Sequence, residues 1–228
     1  MRVSALVLTF LAGAGLGWAQ RFEFGGAGAA GFLSNVAVSG TAGSAITGFQ
    51  TGVGAGGFIS EQLNRHLSGE LRYMFLPSDL HIQSHGSEAA FSGQQHVLHY
   101  DIVWHFARPR SRREFFVAAG GGMKLFRGTG QEQAYQPLMQ FGYFTRTQVI
   151  KPMASFGAGM RFALTPRLIL RAEFRDYVTP FPTDLIAPAP GQKFGSILQN
   201  FVPMVGISYI LGGFESPEKP VLPGGRTN

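Results

Sequence analysis

Residues 168–175 read Leu-Ile-Leu-Arg-Ala-Glu-Phe-Arg. Leu168, Leu170, Ala172 and Phe174 alternate with Ile169, Arg171, Glu173 and Arg175. A helix would scatter those charges around its circumference, whereas a strand puts them all on one side. Leu67-Ser68-Gly69-Glu70-Leu71-Arg72-Tyr73-Met74-Phe75 repeats the pattern. Period-2 segments of this kind are predicted over 22–33, 51–60, 67–76, 96–106, 114–126, 151–164, 168–178 and 201–211. The first is weak, being mostly Gly and Ala after Phe24.

The gaps between these segments alternate strictly. They run 17, 6, 19, 7, 24, 3 and 22 residues. Short gaps carry turn chemistry: Asn64-Arg65-His66, Arg108-Pro109-Arg110-Ser111 and Thr165-Pro166-Arg167. A soluble sandwich has no reason to gather its long loops at one end. A transmembrane barrel does, with short periplasmic turns and long external loops. The expected fold is all-β: an eight-stranded antiparallel up-and-down transmembrane β-barrel over residues 21–211. Pro203 opposes this, because it falls inside the last segment and cannot donate to a ladder; pairing is expected to begin after it.

Face sorting decides the solvent. Leu71, Tyr73, Ile102, Trp104, Phe162, Leu170, Phe174, Ile207 and Tyr209 share an uncharged face, expected to meet lipid. The opposite face carries Glu70, Arg72, Asp101, Lys124, Arg161, Arg171, Glu173 and Arg175 among glycines such as Gly157, Gly159 and Gly206. A soluble barrel would reverse this, with greasy residues inside. A narrow interior suits glycine beside arginine, and a misplaced Arg at mid-depth in lipid costs ~2–4 kcal/mol. The ionised groups are therefore expected to form an internal salt-bridge network, with Glu23 able to join, that plugs the lumen. An anion-selective gate is the alternative use of the same charges.

Composition agrees. Charged residues are 14% of the 228, and there is no Cys, so disulfide frameworks, thiolate metal sites and thiol nucleophiles are excluded. Thirty-two glycines show no three-residue period, which rules out collagen. Met1-Arg2, an apolar run to about Leu16 and the small residues of Gly17-Trp18-Ala19 read as an export signal over residues 1–20. Beyond residue 20 no stretch reaches ~18 uncharged apolar residues, the length a membrane helix needs. Residues 212–228 are expected to form a short periplasmic tail.

Glu70-Leu71-Arg72-Tyr73, Gly120-Gly121-Gly122-Met123-Lys124, Arg171-Ala172-Glu173-Phe174-Arg175-Asp176-Tyr177 and Gly206-Ile207-Ser208-Tyr209 resemble the strands of eight-stranded Gram-negative outer-membrane barrels, the group of OmpA-type and opacity-like proteins. The resemblance spans 21–211 and implies outer-membrane residence, with no particular activity. Such barrels usually end in an aromatic residue; here Ile210-Leu211 and the tail follow Tyr209.

Other candidate sites read as ordinary structure. Gly26-Ala27-Gly28-Ala29-Ala30-Gly31 matches G-x-G-x-x-G but lacks the helix that would meet a pyrophosphate. No cofactor, metal or catalytic residue is expected. Segment 77–95 holds Asp79, His81, Ser84 and His85 in what reads as a solvated loop, and the alternative is a barrel enzyme acting on membrane lipids. His99 and Asp101 share a strand face and read as a lumen hydrogen bond. Four arginines between Arg108 and Arg113 suit anionic headgroups better than nucleic acid. The expected protein is a monomer surrounded by outer-membrane lipid, with a structural or surface-contact role and an unidentified external partner at its long loops.

Overall fold

The computed structural model describes residues 22–64, 66–106 and 112–211. The expected export signal and tail, and most of the basic turn, lie outside the described residues.

Among the described residues, fifteen strands run in order: β1 (Phe22–Leu33), β2 (Val36–Gly40), β3 (Gly43–Phe49), β4 (Gly52–Gln62), β5 (Leu67–Pro77), β6 (Leu80–Ser84), β7 (Ser87–Phe91), β8 (Gly93–His105), β9 (Arg113–Gly128), β10 (Gly142–Phe144), β11 (Gln148–Ala163), β12 (Leu168–Pro180), β13 (Ile186–Pro188), β14 (Gln192–Phe194) and β15 (Ile197–Leu211). Eight close a barrel in the order β1-β15-β12-β11-β9-β8-β5-β4. All eight predicted segments are these wall strands. Closure removes every sheet edge, which an isolated wall in lipid needs.

The weak first segment is the closing strand, pairing β15 on one side and β4 on the other. One of its glycines, Gly25, is required by close approach rather than by turning. A Cβ on Gly25 would overlap the ring of Phe58, which β4 aims into the lumen.

Pro203 does not delay the pairing of β15. The β12–β15 register runs unbroken from Leu168–Tyr209 to Pro180–Ile197, with Pro203 opposite Phe174. Pro152 sits likewise inside β11, opposite Met123. Toward β1 the ladder breaks after Ala29–Met204 and resumes at Phe32–Phe201, so the absent N–H is felt on that side while the flanking ladders hold the strand in place.

The long connections are not solvated loops. They fold into a five-stranded sheet, β14-β2-β3-β6-β7, and a two-stranded sheet, β10-β13. All these strands come from the four long connections, so they form a cap on one barrel mouth. Beneath it Val38, Phe49, Leu80, Ile82, Phe144 and Leu185 build a buried core that also takes in Phe126 of β9 and Leu198 of β15. Phe49 packs on Phe126 at 5.3 Å between ring centroids, tying cap to rim. Cap strands of three to seven residues are too short to show a convincing alternation.

Candidate functional site

Alternation turns the charges of the mid-wall inward, whereas Arg113 and Arg127, near the two ends of β9, are exposed. On β12, Phe174 is 50% exposed, whereas Arg175 beside it is fully buried. Leu71, Tyr73, Ile102, Trp104, Ile207 and Tyr209 are exposed on the outer face with Phe174; Phe162 and Leu170 lie on that face half-buried. The expected lipid-facing set is thus outside as a group.

Inside, three arginines and three carboxylates interlock. Arg72 Nη2 donates to Glu70 Oε1 at 2.7 Å and to Glu173 Oε1 at 2.9 Å. Arg171 reaches Glu70 and Glu173, both at 2.9 Å. Arg175 bonds Glu70 at 3.0 Å, Glu173 at 3.1 Å and Asp101 on the opposite wall. Shared partners matter here, because buried ionised groups are tolerable only when their charge and hydrogen-bonding capacity are both met. Aromatic faces cover what remains: Arg171 lies 4.1 Å from the Phe58 ring centroid and 5.1 Å from that of Phe116. At Gly157 a Cβ would overlap the Arg175 side chain, so glycine supplies the room that guanidinium occupies.

A second group sits toward the short-turn end. Arg161 pairs with Glu23 and, at 3.5 Å, with Glu114. Arg171 bridges the two groups through Glu23 at 3.4 Å. His105 joins by Nδ1 to Glu114 at 2.7 Å and by Nε2 to Ser68 Oγ at 2.8 Å. His99 and Asp101 meet at 3.1 Å, and His99 Nε2 lies 3.3 Å from the Tyr177 hydroxyl. The pair is therefore a lumen contact, as the shared face suggested.

Lys124 departs from expectation. It is buried in the lumen, yet no carboxylate among the described residues lies within ion-pair reach, and its ammonium sits 5.0 Å from the Phe126 ring. It belongs to the storey above the network, where Met74, Leu76, Val97, Met153, Val202 and Met204 fill the barrel. The lumen is thus charged below and apolar above, under the cap. With Lys124 outside the network and Glu23 and Glu114 in it, Arg72, Arg161, Arg171 and Arg175 face Glu23, Glu70, Asp101, Glu114 and Glu173, so basic groups do not outnumber acidic ones there. Sequence reasoning passed over Glu114 at the very start of its segment and Phe58 among the glycines of β4. Phe58 carried a signal: a lone ring at an inward position that follows Gly54 and Gly56 on the same face.

The structure does not bring His81 and His85 together. His81 lies buried on β6, while His85 turns the β6–β7 hairpin at φ 47° with Nδ1 2.9 Å from Ser84 Oγ. Four residues along an extended strand span about 13 Å. Burial lowers the basicity of His81, and Glu88 partly offsets that shift. No group of three or more metal-ligating side chains occurs among the described residues. Gly26–Gly31 runs extended along β1, paired throughout to β4 and as far as Ala29 to β15, so no nucleotide-binding turn exists there.

No protein-family model matches this sequence, and no curated protein matches it. Solved structures do match. The outer membrane protein OprG from Pseudomonas aeruginosa is 9% identical with a TM-score of 0.57, covering 85% of this chain and 96% of that one. A major outer membrane protein from Thermus thermophilus is 14% identical with a TM-score of 0.52, covering 85% and 100%. At these identities the likeness establishes fold alone. Strand count, closure and shared architecture agree, and in fold the chain is an eight-stranded outer-membrane β-barrel.

Proposed function

We propose that the protein resides in the outer membrane as a monomeric, non-conducting and non-enzymatic barrel that presents a folded cap to an external partner. The observation that carries this reading is that the lumen is filled at every level. Arg72 and Arg175 are unreachable by solvent within the ionic plug, methionines and valines fill the storey above, and the cap core closes the outer mouth. A pore needs a continuous wetted path, and ion pairs this tightly shared oppose opening one. The cap, by contrast, is built to hold shape. Its sheet buries one side on the barrel and leaves Gln83, Glu88 and Lys193 exposed. Loops that only shielded the lumen would have no need of an ordered outer sheet. A closed wall also leaves no sheet edge to recruit a second copy.

Planar-bilayer recording of the refolded protein tests the reading. The expected trace shows no sustained single-channel steps in molar salt. Stable openings selective for anions would overturn it in favour of the gate that the lumen charges also suggested.

A further inference from the structure

On the outer wall, where β9, β11 and β12 run side by side, the side chains thin out. Register places Val117, Ala158 and Phe174 in one row and Phe115, Met160 and Ala172 in the next. Two alanines thus lie between larger groups, and with Phe106 completing the rim they bound an apolar groove of about 580 Å³. It opens on the uncharged face, toward the short-turn end.

A charge stands at its short-turn end. Arg113 points outward two residues before Phe115, about 7 Å along the same strand face. Its guanidinium lies over the Phe162 ring at 5.9 Å, and Arg112 beside it is exposed. An apolar slot with a basic rim at its short-turn end is complementary to one chemistry: a long hydrocarbon chain joined to an anion.

We propose that this groove holds one acyl chain of an anionic phospholipid whose phosphate rests on Arg112 and Arg113. The site rests on the outer-membrane reading above, which supplies the lipid. Ala158 and Ala172 are then specificity elements, because a larger side chain at either would occupy the place of the chain. The arginines select the headgroup, each contributing about a fivefold preference for a negative charge near a membrane surface.

Lipid titration of the full refolded protein, followed by native mass spectrometry, tests this. The probes are phosphatidylglycerol and phosphatidylcholine with identical chains. One phosphatidylglycerol is expected to bind more tightly than phosphatidylcholine. Arg112→Gln and Arg113→Gln should each reduce that preference about fivefold. Ala158→Phe should weaken both lipids while keeping their ratio, and millimolar inorganic phosphate should displace neither. Equal binding of the two lipids to the unmodified protein overturns the proposal, as does an Ala158→Phe variant with undiminished affinity. Displacement by phosphate alone would also overturn it. If a variant fails to fold, the comparison on the unmodified protein still decides. Partitioning into detergent separates the two readings: a barrel that needs detergent yet shows no headgroup preference fails here and leaves the outer-membrane reading standing.

Discussion

Arg175 of β12 and Asp101 of β8 form an ion pair across the lumen, between strands separated by two others, with neither side chain reached by solvent. The pair crosses the barrel instead of running along one wall, so it braces opposite sides. Removing one member strands a buried charge, which costs about 3–5 kcal/mol in comparable settings, on the order of a small domain's whole stability. We predict that Arg175→Met and Asp101→Asn each destabilise by about 3–5 kcal/mol in urea unfolding from detergent or lipid. The double variant should lose clearly less than the sum of the two. Additive losses would mean that the pair is not energetically coupled.

Adjacent residues on one strand should behave oppositely. Leu170→Arg turns a charge toward hydrocarbon and is expected to cost ~2–4 kcal/mol, blocking assembly. Arg171→Leu keeps the outer face intact, so the barrel should still insert. It leaves Glu23, Glu70 and Glu173 each short of a partner, and the lumen should loosen. Heat-modifiable migration on gels reads insertion, and urea unfolding reads the loosening. A Leu170→Arg protein that assembles normally would contradict the assignment of faces.

That assignment was legible because strand periodicity is exact and lipid is unforgiving. Leu170 beside Arg171 and Phe174 beside Arg175 can be sorted from residue order alone. The ionic partners of Arg72, Arg171 and Arg175 were legible as a set, since Glu70, Asp101 and Glu173 share their inward face. Lys124 was not, because height in the barrel depends on strand tilt and register, which residue order does not reveal. The cap was hidden for another reason. Strands such as Ile186–Pro188 are three residues long, and their pairing comes from distant connections. Alternation cannot show in so short a piece.

The cap should open independently of the barrel. Leu80 and Ile82 are fully buried in its core, and Leu80→Ala or Ile82→Ala should each cost about 2–5 kcal/mol. Because the wall ladders do not depend on them, the expected result is faster proteolysis within 34–51 and 78–92 while the barrel still migrates as folded. Cleavage rates unchanged by either substitution would show that the cap core contributes little.

Acid should loosen the same cap. Burial holds the His81 pKa below its ordinary value, with Glu88 opposing the shift. The unfolded histidine takes up a proton near pH ~6.5, and the buried one resists it. Stability from burying neutral His81 is therefore present above about pH 6.5 and is lost as pH falls below that. Hydrogen-exchange protection across β3, β6 and β7, corrected for the intrinsic pH dependence of amide exchange, should fall as pH drops from about 7.5 to 5.5, and His81→Gln should flatten the dependence. An identical pH response in that variant would assign the effect to another group.

Which face meets lipid can be read from one side chain. The sequence holds Trp18, inside the expected export segment, and Trp104, exposed on the outer wall and stacked on His66 at 6.2 Å. In protein refolded from residue 21, all tryptophan emission comes from Trp104. In vesicles of brominated phospholipid that emission should be strongly quenched, while aqueous iodide should have little effect. Efficient quenching by iodide, with none from bromine in the acyl chains, would mean that water bathes the apolar face and that the chain does not sit in a bilayer as described.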